Sequence, residues 1–245
     1  MDERVIYVAI GFALGGILKG ATGAGAPIIA IPLMAIFYNV PFAVTVFIVP
    51  TIASNIWQVW AHRARLLPPD FLLRFVGAGA IGAGVGTILL VSFSSASLKL
   101  AVAIAVFAYI LFRLLKPDWQ LAYEKAFSVS GLSGGSAGIL QGATGVSAPI
   151  SVTFLNAMKL ERETFMATIS SFFLAIALVQ TPLLIRFGYM TADRFWLSCL
   201  AIAPLLVSMP IGAALAKRLS RQTFDRIILT LLAILACRLA LEPFV

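Results

Sequence analysis

The chain has 245 residues, 61% hydrophobic and only 11% charged, with a mean hydropathy of +1.01. A soluble domain is about half apolar and a quarter charged, so too little polar material is present here to coat a soluble globule. The formal charge of +8 sits mostly in "HRARLLPP", "RLLKPDW" and "KRLSRQ", which reads as the positive-inside bias of a membrane protein and not as a nucleic-acid surface. The alternation of apolar and polar residues that marks a membrane β-barrel is lacking. Cys199 and Cys237 fall in predicted spans and offer no disulfide framework. One histidine and no Cys/His cluster argue against a transition-metal site; no metal or cofactor is expected.

In chain order, two short apolar segments come first, about Val5–Leu18 and Pro27–Tyr38, separated by "KGATGAGAP". The leading "MDER" carries two acids and the same pattern returns in mid-chain, so the stretch is read as a membrane segment and not a cleaved leader. Longer spans follow at Phe42–Trp60, Phe71–Val91 and Leu98–Leu115. A second short pair, about Ala126–Leu140 and Pro149–Met158, flanks "QGATGVSAP", and long spans follow again at Thr164–Ile185, Phe195–Lys217 and Phe224–Leu241. The short segments reach about 18–24 Å against a hydrocarbon core of about 30 Å. Each pair is therefore either two thin crossings or a re-entrant hairpin. The expected fold is an all-α polytopic membrane protein with six full spans and two broken pairs, eight to ten segments in total.

The chain repeats itself. Gly16–Ile28 and Gly138–Ile150 align without gaps, with ten of thirteen positions identical, and at the same offset of 122 Leu33 meets Leu155 and Gln58 meets Gln180. Later the offset drifts, "SSASLKL" answering "SRQTFDR" and Pro117 answering Pro243. This divides the chain into a first repeat, 1–117, and a second, 118–245, of about five segments each. The basic loops fall on one, cytoplasmic, face only if each short pair enters and leaves on the same side. The repeats are then inverted, with both termini outside, an architecture of many secondary transporters.

In hydrocarbon, non-helical backbone is tolerated only where it is buried in protein or lines a wet cavity. Gly20, Gly23 and Gly25 weaken a helix, and Pro27 suits the first turn of a new one. Helix starts are expected near Ala26–Pro27 and near Ala148–Pro149. Free amide protons and partial positive charge at such starts form an anion nest. The hydroxyls of Thr22, Thr144 and Ser147 would add neutral donors, and Lys19 a full charge answered by Gln141 in the second copy. The competing reading is close helix packing or a hinge. The candidate substrate site is Lys19, Gly20, Ala21, Thr22, Gly23 and Gly25 of the first copy. Gln141, Gly142, Ala143, Thr144, Gly145 and Ser147 of the second copy belong to it, with Gln58 and Gln180 from the following spans.

Other features carry less. "GAGAIG" at Gly77–Gly82 has the letters of a dinucleotide fingerprint but no strand before it; Gly82 and Gly86 suit close helix packing. Gln58 and Gln180 either line the pathway or hydrogen-bond between helices, and Asn55 and Ser54 share that ambiguity. Arg238 snorkels to the interface or guides an anion out. Trp57, Trp60 and Trp196 suit aromatic belts. Asp70, Asp193 and Asp225 flank helix starts, where capping explains them. No acid falls at mid-span and no Walker motif occurs. An intramembrane enzyme would need a nucleophile–base pair, and His62 has no acidic partner in view.

The paired breaks "GATGAGAP" (Gly20–Pro27) and "GATGVSAP" (Gly142–Pro149), with Gly15 and Gly16, in a duplicated chain of this length, resemble the TauE/SafE family of sulfite and organosulfonate exporters. The resemblance covers the whole chain. It implies a non-enzymatic, multi-pass permease of a prokaryotic inner membrane. Its partners would be the lipid bilayer and a small sulfur-containing anion such as sulfite, sulfoacetate or sulfolactate. An anion channel or an ion-coupled uptake permease is the alternative, and a homodimer is left open.

Overall fold

The computed structural model describes residues 3–116, 119–218 and 221–241. The equivalence of Pro117 with Pro243, Ser220 of "SRQTFDR" and the side chain of Asp225 lie outside the described residues. Most of the described residues are helical. The segments are α1 (Glu3–Thr22), α2 (Ala26–Phe37), α3 (Val40–Ala61), α4 (Pro69–Ser92), α5 (Ser95–Leu115), α6 (Tyr123–Thr144), α7 (Ser151–Ala157), α8 (Arg162–Arg186), α9 (Ala192–Arg218) and α10 (Arg221–Leu241). Among the described residues, six are long and apolar enough to cross a bilayer: α1 from Val5, α3, α4, α5, α8 and α9.

Their membership differs from the sequence expectation. α1 has 20 residues and α6 has 22, so the first member of each pair reaches about 30 Å instead of being short. Helix persists through Gly20 and Gly142 because these glycines are where neighbouring backbones touch. A β-carbon at Gly20 would lie 1.9 Å from the Met209 carbonyl oxygen, and one at Gly142 would lie 2.5 Å from that of Ala83. Tertiary contact outweighs the roughly 1 kcal/mol propensity cost of a helical glycine.

The second members are short, 12 residues in α2 and 7 in α7. Each folds back along its partner. Phe37 at the end of α2 stacks on Tyr7 near the start of α1, centroids 4.0 Å apart. Leu121, just before α6, donates its N–H to Ala157 O at the end of α7 at 2.8 Å. Both pairs are helical hairpins.

The packing has a two-fold logic. α1 lies along α9 as α6 lies along α4, α3 packs on α8, and α5 packs on α10. The contacts match residue for residue. A β-carbon at Gly138 would sit 2.1 Å from Gly79 O, and one at its equivalent Gly16 would sit 2.4 Å from Leu205 O. Leu205 follows Gly79 by 126 residues, as Met209 follows Ala83, which locates the drift in offset between the third and fourth segments. At this offset the π-helical stretch Leu73–Gly77 of α4 falls on 199–203, where α9 has its own irregularity at Ala201.

α3 and α8 run antiparallel. Arg65, past the end of α3, lies 3.7 Å from Glu161 and 3.4 Å from Glu163 at the start of α8. At the other end, Val44 and Phe47 share a cavity wall with Ala177 and Gln180. Trp57, Trp60 and Trp196 are exposed on the outer surface, as is Arg238. Asp70 and Asp193 fall in first turns and are not the caps: Pro68 precedes α4, and Thr191 caps α9 by accepting from Arg194 N at 3.4 Å.

Candidate functional site

The two breaks are built alike up to the glycine. In the first, Gly23 N bonds Lys19 O at 2.7 Å and closes α1. The Thr22 hydroxyl donates to Leu18 O at 2.8 Å, contacts Ala24 O and accepts from Ala24 N at 3.3 Å. In the second, Gly145 N bonds Gln141 O at 2.7 Å, and the Thr144 hydroxyl contacts Leu140 O at 2.7 Å and Val146 O at 3.2 Å. Gly23 and Gly145 stand at φ 82° and 75°, the left-handed region where glycine bears no penalty.

Two expectations are corrected here. A hydroxyl has a single proton, and those of Thr22 and Thr144 are engaged by backbone carbonyls. They brace the breaks and are not donors awaiting a ligand. The Ser147 and Ser151 hydroxyls pair with each other at 3.0 Å. The second correction concerns the helix start. α2 begins at Ala26 with Pro27 in its first turn, after Gly25 at φ 100°. Ser147 replaces that glycine and does not take up a left-handed conformation. Ala148–Ile150 form a turn instead, with Ile150 N on Ser147 O at 2.9 Å, and α7 starts only at Ser151.

Buried amides tie the breaks to α3 and α8. Gln58, 2% exposed, donates Nε2 to Gly23 O at 3.4 Å and accepts from the Ser170 hydroxyl at 3.0 Å. Gln180 donates Nε2 to Gly142 O at 3.1 Å. Lys19 is 4% exposed and gives its ammonium to Asn55 Oδ1 at 2.7 Å, while Asn55 Nδ2 goes to Thr51 O at 2.8 Å. Gln141 folds back to Gly145 O at 2.8 Å. The glutamines and Asn55 thus form hydrogen bonds between or within the packed helices.

Among the described residues, each break lines a cavity of its own. A cavity of about 650 Å³ is lined by Ala21, Thr22, Ala24 and Gly25 of the first break, and by α5, α7 and the approach to α8. Its wall carries Arg113, Lys116, Lys159 and Arg162 with no carboxylate among the described lining residues, beside Tyr109, Phe112 and Trp119. Arg162 Nη2 also reaches Gly20 O and Ala21 O, each at 3.4 Å, at the carbonyl end of α1. A second cavity, about 20 Å³, is lined by Gln141, Gly145 and Gln180 with Thr51 and apolar residues. Gln58 marks the level of the first break on α3, and Val44 to Thr51 mark the second. About ten residues, roughly 15 Å, separate the two levels. Lys19, Gly20, Gly23, Gln58, Gly142, Ala143, Thr144 and Ser147 line neither cavity.

The chain is thus a hairpin-bearing helical bundle with a basic cavity at a glycine-rich break. The model of the sulfite exporter TauE/SafE family matches residues 7–239. The chain belongs to the TauE/SafE family. No curated protein and no solved structure matches it significantly. As a TauE/SafE protein it is a multi-pass membrane transporter of a sulfur-anion family. The basic wall of the large cavity was not legible in the sequence, because Arg113, Lys116, Lys159 and Arg162 are scattered over two halves. Arg113 and Lys116 read as loop charges within "RLLKPDW", and nothing in the letters joined Lys159 and Arg162 to them.

Proposed function

We propose that this protein carries small sulfur-containing anions, sulfite or organosulfonates such as sulfoacetate, out of the cytoplasm of a prokaryotic cell and down the membrane potential. The single observation that carries the reading is the cavity of about 650 Å³ with four basic side chains, which reaches the first glycine break. Anions gather in such a vestibule by electrostatic focusing. They meet there the amide end of α2, a twelve-residue helix opened by Gly25, where partial positive charge and close backbone favour an anion. Lys19 adds charge from behind the break. Thr22 and Gly25 form the cavity-facing part of the site, and the glutamines and the second break hold it in register.

Antiparallel α3 and α8, together with matched α1–α9 and α6–α4 contacts, support two inverted repeats, 1–117 and 118–245. Under the positive-inside rule the loops around Arg65, Arg113 and Lys217 are cytoplasmic. The vestibule opens to that side and both termini lie outside. Moving one negative charge out of a cell that is negative inside gains about 2.3 kcal/mol per 100 mV, enough to drive efflux without a coupling ion. The test is flux of labelled sulfite, sulfoacetate, sulfate and chloride in proteoliposomes. Saturable, protein-dependent flux of the sulfur anions is expected; flux indistinguishable from empty liposomes for all of them rejects the reading.

A further inference from the structure

The small cavity lies where the two halves differ in side-chain chemistry. In the first half Lys19 reaches Asn55. At the offset of 122 their equivalents are Gln141 and Ala177, and both line the cavity of about 20 Å³. Where the first half has a Lys–Asn pair, the equivalent residues of the second line a cavity. Gln141 is 8% exposed, and its Nε2 is fixed on Gly145 O, a group that can only accept. Its Oε1 therefore points away from that carbonyl, buried and without a hydrogen-bond partner. The Thr51 hydroxyl spends its proton on Phe47 O at 2.7 Å and keeps lone pairs for another group.

Electrostatics favour a cation there. Both α1 and α6 end at these breaks, and a helix carbonyl end carries about half a negative charge. Lys19 complements the end of α1. The last turn of α6 carries no basic residue. An unpartnered buried acceptor and a second acceptor on a water-sized space, lined also by Gln141 and Gly145 at the end of α6, make a cation site, of the kind unwound helices provide in transporters. The lining residues include no carboxylate, which disfavours a divalent ion, since calcium and magnesium take charged oxygen ligands.

We propose that the second break holds a monovalent cation of sodium's size between Gln141 Oε1 and the Thr51 hydroxyl, beside the end of α6, replacing the ammonium that Lys19 supplies to the first. The site goes beyond the anion-export reading, and its test involves no sulfur anion. A failure here therefore leaves that reading standing, and the reverse also holds.

The test uses the full chain in detergent. Radioactive sodium binding and thermal midpoints are measured in sodium, potassium and choline chlorides at equal ionic strength. Saturable sodium binding is expected, with a midpoint about 3–5 °C higher at ten times the dissociation constant than in choline. The double variant Gln141→Lys/Ala177→Asn puts a tethered ammonium in the site, and sodium affinity should fall at least about tenfold with loss of the midpoint shift. Thr51→Val should weaken sodium by a similar factor, and it decides the matter if the double variant does not fold. No sodium binding and equal midpoints in all three salts would mean that the cavity holds water only, which overturns the proposal. Undiminished binding by a folded double variant, or by Thr51→Val, overturns it equally.

Discussion

Replacing Lys19 by Met removes a positive charge and keeps an unbranched chain in the same packed space. Lys19 O accepts from Gly23 N, so the residue sits one helical turn before the break. A charge roughly 8 Å from a bound anion, at an effective dielectric of about 20, contributes about 2 kcal/mol, or some 30-fold in Kd. The substitution also leaves Asn55 Oδ1 without its donor at 2.7 Å, and an orphaned buried acceptor costs about 1–3 kcal/mol of stability. Asn55→Leu in the same chain removes both partners and restores much of that loss. Anion binding by calorimetry, read beside the thermal midpoint, separates the two effects. In Lys19→Met and in Lys19→Met/Asn55→Leu the affinity should fall equally while the midpoints differ. A folded Lys19→Met that binds sulfite within about threefold of the unsubstituted chain would refute the electrostatic role, leaving Lys19 as a packing and hydrogen-bonding residue.

Other outcomes follow from the packing and the cavity. Gly20→Val should abolish assembly, since even a β-carbon there would lie 1.9 Å from Met209 O, whereas Gly131→Ala, with nothing within 4 Å, should be tolerated. Monodispersity in detergent distinguishes them, and a well-folded Gly20→Val would contradict the close α1–α9 contact. Lys116→Gln/Lys159→Gln should raise the KM for the anion several-fold, an effect that shrinks with added salt while maximal flux changes little. In a background lacking Cys199 and Cys237, Thr22→Cys should react with an impermeant thiol reagent from the cytoplasmic side and Gly188→Cys from the outside. Labelling of both from one side would contradict the proposed inverted topology. Arg65→Ala should change stability by about 1 kcal/mol or less, because its carboxylate partners are exposed.

Much of the fold is legible in the sequence because matching letters at Gly16–Ile28 and Gly138–Ile150 mark two like hairpins. The breaks at Gly23 and Gly145, the α2 start at Ala26 and the equivalence of Gln58 with Gln180 all follow from the pattern. The full length of α1 and α6 does not. Glycine reads locally as a helix breaker, and only the backbone of α9 or α4 pressed against Gly20 or Gly142 explains why helix continues through them. Thr22 and Thr144 look like ligand donors until their protons are found on the Leu18 and Leu140 carbonyls. The vestibule is assembled from α5, α7 and the approach to α8, and no local pattern groups Arg113 with Arg162. The inequality of Lys19 and Gln141 is visible in the letters. Its counterpart, Asn55 against Ala177, acquires meaning only when Lys19 is seen to bond Asn55 while Gln141 and Ala177 line one cavity.

The central claim is potential-driven outward movement of a sulfur anion, and one measurement bears on it most directly. Proteoliposomes loaded with labelled sulfite are given a potassium diffusion potential of either sign, and efflux is followed. An interior-negative potential should accelerate protein-dependent efflux and an interior-positive one should slow it, in the proportion set by about 2.3 kcal/mol per charge per 100 mV. Efflux that is equal under both signs, or equal to that of protein-free liposomes, would contradict the account.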